Sequence, residues 1–153
     1  MIGALNSRGV QFILIGGIAA QIHGLPVPAT IDVDITPARN TENLDRLANA
    51  FEDLGAMLLT VDDGGTWFPR HPVENWAQYD TLHLVTKHGL LDIVLAPDGA
   101  PRGFDDLVSE SVGGNFGAVA FAMISKEQWI RLKSASGRAK DLEHLARYYE
   151  SQI

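Results

Sequence analysis

Apolar residues in this chain fall into short continuous runs and helical or alternating stripes, and the spacing assigns most of its elements. Val10 to Ile15 (VQFILI) is continuous and rich in β-branched residues, ends at Gly16-Gly17, and predicts a buried strand. Small and apolar residues from Ile18 to His23 suit a short helix that Gly24 stops. Pro26 and Pro28 mark a turn over 25–29. From Thr30 to Thr36 the pattern alternates, so Ile31, Val33 and Ile35 share one face of a strand while Asp32 and Asp34 share the other.

A turn and cap over 37–41 lead into an amphipathic helix over 42–54, with Leu44, Leu47, Phe51 and Leu54 on one stripe. A strand over 56–61 precedes a segment, 62–78, whose Gly, Pro and aromatic content predicts a long loop. Strands over 81–86 and 90–95 form a hairpin across Lys87-His88-Gly89. A helical turn over 101–108, a strand over 116–121 and helices over 126–134 and 138–151 complete the chain, with Ser125 and Gln128 in capping-box spacing. Strands alternating with helices, followed by a hairpin, imply an α/β or α+β fold with a mixed β-sheet flanked by helices. At 153 residues the expectation is a single domain, 1–153, with 125–151 as its closing helices.

Charge and composition narrow the partners. The net charge is −7, from 12 basic and 19 acidic residues, so the surface as a whole repels nucleic acid. The absence of cysteine excludes disulfides, thiolate metal sites and cysteine nucleophiles. The most apolar stretch, Phe12 to Leu25, falls short of the roughly 20 residues of a membrane helix, and no secretory pattern precedes it. A cytoplasmic protein without a membrane partner is expected.

The chemistry lies in the carboxylates. Asp32 and Asp34, at i and i+2 of one strand, project to the same side, close enough to share a hard divalent cation; otherwise they face solvent on an edge strand. Asp92 lies within the apolar strand sequence LLDIVL, where a lone carboxylate needs a reason. If the two strands are neighbours, three carboxylates converge, a set suited to one or two metal ions and an in-line attack on phosphate; otherwise Asp92 is a strand-edge residue bonded locally. Gly16-Gly17 offers backbone N–H groups and close approach to a phosphate, or simply a tight turn.

In combination these residues resemble the nucleotidyltransferase superfamily whose fold is shared with polymerase β. The resemblance rests on Ile13-Leu14-Ile15-Gly16-Gly17, on Thr30-Ile31-Asp32-Val33-Asp34-Ile35, on Leu91-Asp92-Ile93, and on the K-x-x-x-x-R-x-K-D-L run from Lys133 to Leu142. It looks most like the small bacterial branch that includes antibiotic nucleotidyltransferases and toxin or antitoxin proteins of abortive-infection systems. The resemblance implies transfer of a nucleoside monophosphate from a nucleoside triphosphate such as ATP to a hydroxyl of a small molecule, RNA or protein. It further implies magnesium or manganese held by Asp32, Asp34 and Asp92, with Asp92 also serving as base. Gly16, Gly17 and Thr30 would meet the nucleotide, and Lys133 and Lys140 the phosphates or acceptor. A homodimer or a cognate toxin or antitoxin partner is also implied. Relatives often carry Arg two residues before the Thr, where this chain has Pro28; Arg39, Arg70 or Lys133 would then supply the charge.

Other readings remain. A nucleotidyltransferase-like binding module with an incomplete site would use Trp67, Phe68 and Trp76 as a contact surface, unless those aromatics roof the core. Asp32-Val33-Asp34-Ile35-Thr36 fits the DxDxT pattern of aspartyl-phosphate phosphatases, although Pro26 and Pro28 interrupt the approach to the strand. A dinucleotide fold lacks its glycine pattern. The histidines at 23, 71, 83, 88 and 144 lack metal-ligand spacing, and His23 suits a helix end.

Overall fold

The continuous apolar run does become a fully buried strand, β1 (Phe12–Ile15), and the structure, a computed structural model, describes residues 1–59, 66–67 and 77–153. At the end of β1 the positive φ of Gly16 (69°) turns the chain straight into helix α2 (Gly16–Ile22), two residues earlier than the spacing predicts. Gly24, also at positive φ, stops this helix: its N–H donates to Gln21 O and that of Leu25 to Ala20 O, the paired bonds of a Schellman end. Strand β2 (Asp32–Pro37) follows. Ile31, placed by alternation on one strand face with Val33 and Ile35, precedes the strand and is 84% exposed. No sheet neighbour reaches it, because the pairing of β2 begins at Asp32.

Helix α3 (Thr41–Leu54) has the expected ends: Asn40 Oδ1 accepts from Asn43 N at 2.9 Å, and Gly55 closes it in the left-handed region. Leu44, Leu47, Phe51 and Leu54 are all buried. A helix that periodicity does not reveal, α1 (Ile2–Ser7), packs beside α3 through buried Ile2 and Leu5; six residues are too few for a stripe to register.

Strands β3 (Met57–Leu59) and β4 (Thr66–Trp67) occupy one edge of the sheet. Thr60, Val61, and the proposed contact residues Phe68 and Trp76 lie outside the described residues, as do Arg70 and His71. β5 (Thr81–Thr86) and β6 (Gly89–Val94) form the expected hairpin, but only Lys87 and His88 lie between the paired ends. The predicted helical turn appears as α4 (Phe104–Leu107) and a 3₁₀ turn, Val108–Glu110.

The strand expected over 116–121 is instead the tip of a hairpin. β7 (Val112–Phe116) and β8 (Val119–Met123) pair antiparallel around Gly117-Ala118. Gly117, at φ 56°, supplies the reversal that a continuous reading of the apolar residues conceals. Helices α5 (Lys126–Ser136) and α6 (Ala139–Glu150) close the chain, and Ser125 and Gln128 form the capping box. Gln128 also donates from Nε2 to Leu107 O at 2.7 Å, which ties the start of α5 to α4.

The described strands form one mixed sheet in the order β4-β3-β5-β6-β2-β1-β8-β7. A cluster of buried residues that includes Ile13, Leu14, Ile35, Phe51, Leu91, Ile93 and Trp129 joins sheet and helices. β1 runs antiparallel to β2, β2 parallel to β6, and β6 antiparallel to β5. The register therefore sets Ile15, Asp34, Asp92 and His83 in a single row across four neighbouring strands.

Candidate active site

Pairing of β2 with β6 answers the question posed by the three isolated carboxylates. Asp34 lies opposite Asp92, and Asp32 stands two residues earlier on the same face of β2. One oxygen from each of the three lies within 4.8 Å of the others, and all three side chains are half-buried. They line an open pocket of about 500 Å³ together with Gly16, Gly17, Thr30, Lys133, Arg138 and Lys140.

Each carboxylate has one fixed neighbour. The Thr30 hydroxyl donates to Asp32 Oδ1. The backbone N–H of Gly17 favours the charged form of Asp34. His83 Nδ1 lies 2.9 Å from Asp92 Oδ1, its own side chain being 60% exposed. These contacts fix the orientation of the acids without neutralising them. Burial, reinforced by the charges of Asp32 and Asp92, pushes the Asp34 carboxyl up to about 7, against the opposing pull of the Gly17 N–H and Lys133. A cluster that penalises its own ionisation in this way, built entirely of hard oxygen donors, fits a magnesium-type cation, with water and phosphate oxygens filling the rest of the shell.

The cationic wall is built differently. Asp141, on α6, is fully buried, and Lys133, at 15% side-chain exposure, donates to its Oδ1. Ser136 Oγ and Arg138 Nε approach the other oxygen at 2.5 and 2.7 Å. Burial alone would raise this carboxyl, but the three donors outweigh it and hold the group at about 2. Lys133 is therefore an ion-paired residue facing the pocket, whereas Lys140 is exposed on its rim. Of the charges considered as substitutes near Pro28, Arg39 donates to Ala77 O at 3.0 Å and does not line the pocket.

The residues Asp32, Asp34, Asp92, Gly16, Gly17, Thr30, Lys133 and Lys140 thus line one pocket. Sequence reasoning missed His83, Arg138 and His144, which line it too. His83 was within reach: with a two-residue loop at Lys87-His88, counting outward from the Thr86–Gly89 pair sets it opposite Asp92. His144, shifted below its ordinary value by burial and by Lys133, has no comparable sequence signal.

This architecture matches solved structures across almost its full length. The lincosamide antibiotic adenylyltransferase LnuA, solved with lincomycin bound, superposes with a TM-score of 0.62 over 97% of this chain and 91% of its own, at 16% identity. This chain has the nucleotidyltransferase fold. A Thermotoga maritima protein assigned to the nucleotidyltransferases, TM1012, gives 0.59 at 14% identity, covering 98% of this chain and 88% of that one. The antibiotic-resistance factor ANT(2'')-Ia, whose solution structure reveals substrate-regulated dynamics, gives 0.56 at 16% identity over 99% and 80%. No protein-family profile matches the chain, and no curated protein is significantly similar in sequence. At such low identity the likeness is one of fold. Among the described residues, no helix is long and apolar enough to cross a membrane.

Proposed function

We propose that this protein is a magnesium-dependent nucleotidyltransferase that moves a nucleoside monophosphate from a nucleoside triphosphate to a hydroxyl of a small-molecule, RNA or protein acceptor. The observation that carries the reading is the convergence of Asp32, Asp34 and Asp92 in a pocket that also holds Lys133, Arg138 and Lys140. An acidic cluster facing a basic wall suits a substrate that is itself an anion delivered with cations. The three aspartates would hold magnesium or manganese, which when bound supplies Lewis-acid stabilisation of phosphate charge. Asp92, oriented by His83, accepts the proton of the acceptor hydroxyl as its oxygen bonds to the α-phosphorus. The bond between the α-phosphorus and its bridging oxygen breaks, and pyrophosphate leaves on the side lined by Lys133, Arg138 and Lys140. Such chemistry belongs in the cytoplasm, where triphosphates and magnesium are available.

Incubation with each labelled triphosphate, magnesium and cell extract should label a discrete acceptor, and Asp92→Asn should lower the rate at least about a hundredfold. Labelling that persists in Asp92→Asn would overturn the assignment. A second reading is favoured by Pro28, which lines the pocket near Thr30 where relatives often carry Arg. On that reading the domain is a nucleotidyltransferase-like binding module, a toxin–antitoxin component for instance. A melting temperature indifferent to every triphosphate with magnesium would select it.

A further inference from the structure

The glycine pair at the start of α2 is packed closely against Asp34 and Thr30. A Cβ built on Gly16 would lie 2.0 Å from Asp34 Oδ2 and 2.6 Å from its Cγ. One built on Gly17 would lie 2.9 Å from Cγ2 and 3.1 Å from Cβ of Thr30, whose hydroxyl holds Asp32.

We propose that Gly16, Gly17 and Thr30 act as positioning residues for the two carboxylates of β2. Gly16 is side-chain-free because its φ of 69° disfavours a side chain and the Asp34 carboxylate occupies that space, and Gly17 because Thr30 closes over it to hold Asp32. The proposal rests on the metal-binding reading above, and gives the glycine pair a role toward the acids that is separate from any contact with the triphosphate. The space a side chain would need at either glycine is filled by the chain itself. It also explains why the residue after Ala29 is a threonine: its hydroxyl orients Asp32 while its methyl packs on Gly17. In the sequence the two contacts connect residues 13 to 18 positions apart, across a helix and a proline turn.

The test is a double-mutant cycle on the full chain, using Gly17→Ala, Thr30→Ser and both together. Thr30→Ser deletes the methyl that a Cβ at position 17 would strike and keeps the hydroxyl. Manganese binding without nucleotide, followed by the electron-paramagnetic signal of the free ion, should weaken about 10- to 100-fold in Gly17→Ala. Most of that loss should disappear in the Thr30→Ser background. The same substitution should leave the loss caused by Gly16→Ala in place, because the clash there is with Asp34 and the positive φ of position 16 is unchanged. An equal Gly17→Ala loss in both backgrounds, or rescue of Gly16→Ala, would overturn the proposal. Melting temperatures in chelator separate the two readings. If the wild type binds no manganese, the metal assignment fails, while relief of the Gly17→Ala melting loss by Thr30→Ser still supports the packing and an unrelieved loss still refutes it.

Discussion

Asp34 and Asp141 line the same pocket and carry the same functional group, yet their environments push them in opposite directions. Asp141 has no exposed surface and is held at about 2; Asp34 retains some exposure and is pushed up to about 7. Burial raises both carboxyls, and what differs is whether the neighbours oppose or reinforce it. Lys133, Ser136 and Arg138 outweigh it at Asp141, whereas the charges of Asp32 and Asp92 add to it at Asp34. The acid of α6 is a finished structural element whose charge is satisfied within the chain. The acids of β2 and β6 form a site whose charge balance calls for a partner from outside it.

Removing the structural acid should have the larger effect. Asp141→Ala leaves Lys133 facing Arg138 at short range with no counter-charge, and is expected to destabilise the protein by about 3 kcal/mol in a denaturant titration. If the loss is no greater than that of an exposed ion pair, the contrast between the two acids is wrong. Asp34→Asn should do the opposite in the absence of metal. Because the folded-state carboxyl is raised, the penalty is absent below about pH 4, accumulates as pH rises and is complete above about 7. In chelator at pH 8 the variant should therefore be more stable than the wild type by about 2 kcal/mol, an advantage that vanishes near pH 4. It should also lose the rise in melting temperature expected of the wild type when magnesium is added. The smallest effect concerns the acid limb. Asp141 is depressed, so its contribution is fully present above about pH 4 and is lost as pH falls through about 2. Between those values the wild type should lose about 1–2 kcal/mol, after allowance for screening at the pocket surface, and Asp141→Asn should lose none of it.

How much of this is legible in sequence follows from which interactions are local. Helix α3 is readable because its stripe, its Asn40 cap and its Gly55 stop all lie within the segment they define. The alternation of β2 correctly puts Asp32 and Asp34 on one face, since a strand has period two whatever surrounds it. It fails at Ile31, because whether an apolar residue is covered depends on the neighbouring strand, and the pairing starts one residue later. The nearness of Asp92 was only a conditional: nothing in 90–95 states that β6 lies parallel to β2. His83 shows how narrow the margin is, since reading the hairpin loop as three residues instead of two moves it out of register with Asp92. The strand expected over 116–121 failed for a related reason, the apolar residues either side of Gly117 belonging to two strands. The partnership of Lys133 with Asp141 was legible only as proximity; which of solvent or pocket they face is decided by the packing of α5 on α6.

The register that sets Asp34 against Asp92 carries a mechanical consequence. These acids belong to adjoining strands in the middle of the sheet, so a cation gripped by both would act as a rivet through β2 and β6. Separating those strands would then require releasing the ion, and the free energy of binding would be added to the cost of opening the sheet at its centre. Loading the site would thus protect backbone amides over 32–35 and 90–93 from exchange with solvent, while the edge strands β4 and β7 went on breathing as before.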